Sequence, residues 1–347
     1  MTVAAESILL PLCLLLLVSR FVNCADYSTY VWTTSFDNTV SGCDETKFLA
    51  WDSASNPECF THSWNTEAKR TWLWNTCNVT GAEIKYVYLS DLKNALKAAW
   101  LNNNCQTSDI NLVRTTVADG HTKVPGLKLY ALFADSDLAV TEKTRVRYVV
   151  YYNDHCAQSA QERIDGVAVN NEAYAGIKCS DNTTRTTYLN NLNTIKTEAA
   201  LQLNGTLLTH YSVGWHWGLC NDLHDPITFN GKTADAVVHM IDIFNSVDVQ
   251  VGAIIFPDIA DRMVIAQYNY AVNISKPIFT TVYTNKVSIC GTSFFPVTCN
   301  KGTHTEAGML DIFSQFGSNG IGQAKPCIHY FRGIYSTGGN SDWPKHN

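Results

Sequence analysis

The chain has little of what usually betrays a ligand class by composition. Only 16% of its residues are charged and the net charge is −6, so there is no basic patch for a nucleic acid. Its cysteines form no C-x-x-C pair, and His210, His216, His239 and His329 fall on different expected elements without i, i+4 or H-x-H spacing. No metal site is expected on those grounds. There is no G-x-S-x-G elbow and no catalytic cysteine pattern. The Gly-rich segment Gly317–Gly322 follows an expected helix and precedes a strand, the reverse of a phosphate-binding loop. No bound cofactor is predicted. No Pro/Gly-rich linker and no internal repeat divide the sequence. Beyond Leu9–Val18, no second apolar run of that kind follows, which leaves no predicted membrane span.

That single run is the core of an expected secretory signal, although no Lys or Arg precedes it. Val22-Asn23-Cys24 precedes a cut near Ala25, so residues 1–24 are read as signal and 25–347 as one mature domain. Ten cysteines remain after that cut: 43, 59, 77, 105, 156, 179, 220, 290, 299 and 327. An even number in a secreted chain predicts a disulfide framework whose pairing stays open. Sequons at Asn78, Asn182, Asn204 and Asn273 agree with passage through the secretory route. The expected product is a secreted, N-glycosylated monomer.

Strand-like and helix-like stretches alternate along the chain. Expected strands are 27–34, 84–89, 127–134, the run from Ile164 to Val169, 206–213, 247–255, 277–283 and 327–331. Helices are expected from Leu92 (capped by Ser90-Asp91), over 145–152, 188–203, 234–244, 259–272 and 306–316. Residues 35–82 read as a Cys- and Trp-rich insertion, a disulfide-pinned loop with a helix. Its Trp51, Trp64, Trp72 and Trp74 are expected mostly to pack that loop against the barrel. The alternation predicts a single disulfide-braced (β/α)8 TIM barrel.

The stretch Glu162–Tyr174, E-R-I-D-G-V-A-V-N-N-E-A-Y, organises the rest. A β-branched run buried on both faces ends in Asn170, Asn171 and Glu172, and a carboxyl at the end of a buried parallel strand is where barrels keep their chemistry. The stretch resembles the D-G-x-D-x-D-x-E signature of chitinase-like barrels (glycoside hydrolase family eighteen and its relatives). Asp165 matches the first Asp and Glu172 the terminal Glu, whereas Ala168 and Asn170 replace the second and third Asp. Three weaker matches accompany it: Asp242–Gly252, with Gln250 in place of Met; Val282–Asn285, with Tyr283 in place of Glu; and Cys327–Tyr330. The resemblance covers about residues 84–336.

This resemblance implies that Glu172 protonates the glycosidic oxygen while the substrate's acetamido group is the nucleophile. An apolar wall around Glu172 would hold its proton by desolvation. Asn170, where the family has the Asp that orients the acetamido group, would form hydrogen bonds but not bear the stabilising charge. That change costs on the order of several kcal/mol of transition-state electrostatics. Asp165, at the start of the strand, is expected to be structural. Tyr211 is a further catalytic candidate, and Asp135, Trp215, Trp217, Gln250, Tyr283 and His329 are candidates for contacting a glycan or small-molecule ligand. Three readings follow: a glycoside-hydrolase-like enzyme, a secreted oxidoreductase acting with O2 on a small aromatic substrate (luciferase type, as in marine worms), and a lectin-like glycan binder.

Overall fold

The computed structural model describes residues 26–31, 64–78, 83–218, 226–263, 265–284, 294 and 306–329. Eight parallel strands close into a barrel: β1 (Tyr27–Val31), β2 (Ile84–Leu89), β3 (Lys128–Asp135), β4 (Gly166–Asn171), β5 (Leu208–Gly214), β6 (Ser246–Gln250), β7 (Ile278–Val282) and β8 (Lys325–Ile328). Each strand pairs with its neighbours in sequence, and β8 closes on β1 through Ser28 opposite Cys327 and Thr29 opposite Ile328. This is the (β/α)8 barrel that the alternation predicts.

The period of two along each strand divides its residues between two cores. Outward-facing Val87, Leu89, Val167, Val169, Val247 and Val249 pack in the layer shared with the helices. Inward, Tyr30, Tyr88, Tyr130, Leu132, Ala168, Phe279 and Cys327 form a separate cluster. The Tyr88 ring lies 4.7 Å from that of Tyr30 and 5.4 Å from that of Tyr130, so the interior is packed rather than a pore. Gly166 is required by this packing. A Cβ there would meet the Tyr130 ring at 2.4 Å, with the backbone oxygen of Leu208 at 2.8 Å.

The surrounding helices are α1 (Glu67–Cys77), α2 (Lys93–Asn102), α3 (Ser108–Lys123), α4 (Glu142–Tyr151), α5 (Asn182–Ala199), α6 (Ala236–Ile243), α7 (Phe256–Arg262), α8 (Ile265–Asn273) and α9 (Glu306–Ser314). Side chains of Thr66, Thr107 and Asp181 cap α1, α3 and α5 by accepting from Lys69, Ile110 and Thr184 backbone N–H groups. Several details differ from the sequence expectation. Helix α3 was not expected, because its buried Ile110, Val113, Thr116 and Val117 are β-branched. An antiparallel hairpin pairs Ile227–Phe229 with Lys232–Ala234. Strand β6 stops at Gln250, and Gly252 then turns the chain at φ +51°. The helix expected over 259–272 is two helices, α7 and α8. Ser90-Asp91 does not cap α2: the helix begins after Leu92 with no side-chain cap, and Asp91 sits at φ +68°.

The cysteine expectation also needs correction. Cys105 and Cys156 are bonded, joining the loop before α3 to the turn after α4, and Cys179 is in a disulfide too. Cys77 and Cys327, however, are buried free thiols, one at the end of α1 and one inside the barrel. Closing the 51-residue loop between Cys105 and Cys156 contributes about 4 kcal/mol in the chain-entropy account. Trp64 and Trp74 are buried, and Trp72 packs against the same core. Trp51, the other cysteines and the signal segment lie outside the described residues.

Candidate functional site

The middle of the barrel is built around Asp248 of β6, which is wholly buried. Its Oδ1 accepts from the Tyr30 hydroxyl (2.5 Å) and meets His210 Nε2 (2.8 Å). Its Oδ2 accepts from Ser212 Oγ (3.0 Å) and from the Thr281 hydroxyl. The other ring nitrogen of His210 meets Ser246 Oγ at 2.8 Å, and its ring stacks on Tyr88 with centroids 4.3 Å apart. Burial, reinforced by the charge of Asp248, pushes the Tyr30 hydroxyl well above the usual tyrosine range, so Tyr30 remains a donor. A buried carboxylate tolerates this setting because its lone pairs are taken up by donors.

One turn of the pleat higher, hydrogen bonds run in a single direction. Ser212 gives its proton to Asp248, so its oxygen must accept, and Gln250 Nε2 donates to it at 2.9 Å. The same nitrogen donates to Asn170 Oδ1 at 3.0 Å, and Gln250 Oε1 accepts from the Tyr283 hydroxyl at 2.7 Å. Asp248 thereby fixes which way the Gln250 amide faces. Asn170 keeps its Nδ2 amide hydrogens as donors and a second lone pair on Oδ1 as an acceptor. His329 lies beside Tyr283 and Tyr30, ring centroids 4.7 and 5.4 Å away. Burial drives its pKa down to about 4, with only partial opposition from Asp248, so it is neutral at physiological pH.

At the carboxyl ends of the strands, Glu172 follows β4 with φ −101° and ψ 18°, a sparsely used region in which active-site residues are often found. It is exposed, which corrects the expectation of an apolar wall around it. Its backbone N–H donates to Asp135 O (3.1 Å). Burial, with the Glu172 charge next, raises the hydroxyl pKa values of both Tyr174 and Tyr283. Tyr174 is held in turn by the backbone N–H of Gly214 at 2.7 Å.

Asp91 lies two residues past the end of β2, as Glu172 lies one past the end of β4. Its left-handed backbone is unusual for a residue with a side chain. Its Oδ2 is sealed from solvent and has no hydrogen-bond partner among the described residues. Burial alone raises its pKa to about 6. Desolvation therefore acts on Asp91 in the way that was expected for Glu172.

The structure brings Asn170, Gln250, Tyr283 and His329 together at the mouth and sets Glu172 on its rim. It sends three other candidates elsewhere. Tyr211 alternates with His210 and Ser212 and so points outward, where its hydroxyl donates to Asn171 O (2.9 Å), pairs with the Tyr188 hydroxyl (2.9 Å) and its ring stacks on Phe244. Trp217 is buried against Tyr174 and Tyr188 and offers no sugar platform. Asp135 is committed to Arg145 (2.6 Å) and Thr141 (3.0 Å). Burial works to raise its pKa, but the bonds to Ser136, Thr141 and Arg145 outweigh that and lower it. Trp215 is partly buried under the Arg262 guanidinium, 5.1 Å from its ring. Among the described residues, no group of three or more His, Cys, Asp or Glu is placed to hold a metal.

Sequence reasoning missed Asp248, His210 and Asp91. A signal for Asp248 was present: Ser246, Asp248 and Gln250 alternate with Val247, Val249 and Val251, a polar face inside a buried strand. Asp91 was obscured by the capping role that Ser-Asp before a helix suggests.

The fold and this rim define a (β/α)8 barrel whose polar groups gather at the carboxyl ends of its strands. No family model matches the chain and no curated protein matches it in sequence. Among solved structures it is similar to a GH18 chitinase from Pseudoalteromonas aurantia, with 12% identity, 78% of this chain and 93% of that one covered and a TM-score of 0.43. It is also similar to the PgaB (BpsB) glycoside hydrolase domain from Bordetella bronchiseptica (8% identity, 90% and 96% covered, TM-score 0.49). A chitinase from Chromobacterium violaceum shows 10% identity, 91% and 96% covered and a TM-score of 0.41. At such values these are similarities of architecture, and the barrel assignment rests on the strand order itself.

Proposed function

We propose that this barrel acts on glycans, cleaving a glycosidic bond with Glu172 as a reacting carboxyl. The observation that carries this reading is the place of Glu172: exposed at the end of β4, its charge acting on Tyr174 and on Tyr283, which is hydrogen-bonded to Gln250. The mouth supplies amide and hydroxyl groups suited to sugar hydroxyls. The acetamido-assisted route is not favoured, since the neutral amide of Asn170 cannot bear the negative charge that an Asp at this position would supply. The oxidative reading keeps Tyr283 and His329 at the mouth, whereas Tyr211 and Trp217 are packed away from it. The apolar leader and four exposed sequon asparagines support secretion as a glycoprotein.

The test is hydrolysis of a fluorogenic glycoside panel, including N-acetylglucosaminides, by the secreted protein and by Glu172→Gln. The expected result is turnover by the wild type and a loss of about 10²–10⁴-fold in the variant. A folded wild-type protein that binds glycans but turns none over overturns the enzymatic reading in favour of a lectin-like one.

A further inference from the structure

The proposed cleavage lacks a partner for Glu172, because Ala168 and Asn170 stand where the resembling enzymes have carboxylates. The geometry points to Asp91 as that partner, the proton donor of an inverting pair in which Glu172 activates water. This rests on the glycosidase reading above.

The two residues share one rim. Strands β2 and β4 are separated only by β3, which places their ends about 10 Å apart at ordinary strand spacing. Their height follows from the register. The ladders pair Leu89 with Ala131 and Ala131 with Val167, so straight across the strands Asp91 lies opposite Val169. A closed barrel of eight strands adds a stagger of about one residue per strand, which brings Asp91 level with Asn171, beside Glu172. The sense of the stagger is visible at mid-barrel. Thr281 pairs with Cys327 and Cys327 with Ser28, yet Thr281 meets Asp248 together with Tyr30, two residues above Ser28. Inverting pairs hold their carboxyl groups about 6.5–9.5 Å apart and retaining pairs about 5 Å apart, and backbones about 10 Å apart leave room for the wider spacing.

Asp91 has the character of an acid rather than of a brace. Its Oδ2 neither reaches water nor forms a hydrogen bond among the described residues. Its backbone is left-handed, a conformation that Asp adopts more readily than most residues with a Cβ. No neighbouring charge contributes to its raised pKa. Glu172 is exposed, where water is available to it. When two carboxyls differ in environment in this way, the desolvated one keeps the proton. In the reaction, Asp91 gives its proton to the glycosidic oxygen, and the C–O bond breaks with its electron pair leaving on that oxygen. A water attacks the opposite face of the sugar and yields its proton to Glu172. The products are an alcohol and a sugar of inverted anomeric configuration.

The test compares wild type, Asp91→Asn and Glu172→Gln on methylumbelliferyl glycosides and on the matching dinitrophenyl glycosides, with the first-formed anomer read by proton NMR. Asp91→Asn is expected to lose about 10²–10⁴-fold on the methylumbelliferyl substrate and to stay within about tenfold on the dinitrophenyl substrate, whose leaving group needs no proton. Wild-type activity should fall as pH rises through about 6, and that limb should vanish in Asp91→Asn. Inverted product is expected. Turnover abolished by Glu172→Gln but unchanged by Asp91→Asn, or a retained anomer, overturns this inference and leaves the glycosidase reading standing. No turnover by the wild type overturns both. Matching circular dichroism of the variants separates loss of chemistry from loss of fold.

Discussion

Asp165 and Asp91 mark opposite ends of the barrel and are treated in opposite ways. Asp165 precedes β4 on the amino-terminal face. There it meets His121 Nε2 at 2.7 Å and accepts from Lys128 Nζ at 3.0 Å and the Leu129 backbone N–H at 2.9 Å. Burial works to raise its pKa, but these partners overcome it and hold the carboxyl below its usual range. Asp91 follows β2 on the other face, with a left-handed backbone, an Oδ2 without a hydrogen-bond partner among the described residues and a pKa raised to about 6. The amino-terminal face uses its aspartate to fasten loops to strands. The carboxyl-terminal face keeps one poorly solvated, with one oxygen unbonded among the described residues, which is costly to the fold unless it serves chemistry.

Substitutions would sharpen that contrast. The extreme of the fastened kind is Asp248, and Asp248→Ala leaves the donors Tyr30, Ser212 and Thr281 without their acceptor. It is expected to lower unfolding stability by about 3–5 kcal/mol, measured by urea denaturation. Asp165→Asn should cost about 1–3 kcal/mol and change the pH dependence of stability. With its folded pKa lowered, Asp165 contributes above its unfolded value near 4, and the contribution is lost as pH falls through the folded value. His121 works in the other direction. Burial alone would lower its pKa, but the bonds to Asp165 and to the Gln161 carbonyl raise it. Its contribution is full below about 6.5 and is lost as pH rises through the folded value. Asp91→Asn should do the opposite of Asp165→Asn. A raised carboxyl pKa favours the folded state while protonated, and that advantage disappears between about pH 4 and 6. At pH 8 the variant should therefore be more stable by about 1 kcal/mol after allowance for solvent screening, with no gain at pH 4. A destabilised Asp91→Asn would erase the distinction between the two ends.

The barrel was legible in the sequence because strands such as β4 and β5 carry apolar β-branched or aromatic residues between turn signals, and because α5 and α6 keep helical spacing. The site was legible in part. Asn170, Gln250 and Tyr283 were found through residues that fill positions the family pattern defines. Tyr211 and Trp217 were misplaced because a strand-end aromatic faces the mouth or the helices according to one step of register, which the sequence around β5 leaves open. Asp248 was hidden by distance: its partners Tyr30 and Thr281 are 218 and 33 residues away. Asp91 was hidden by local grammar, since Ser-Asp before a helix ordinarily caps it.

Cys327 gives the molecule a built-in clock. It lies on the strand that completes the ring, in a seam where Thr29 donates to Ile328 across 299 residues of chain. Its thiol is enclosed, and burial pushes its pKa well above the usual range, so reagents that attack thiolates find nothing while the ring is shut. Alkylation of this one sulfur consequently counts seam openings. Its rate, followed against temperature or denaturant, would tell how often the barrel breathes at β1 and β8 and whether that happens apart from global unfolding.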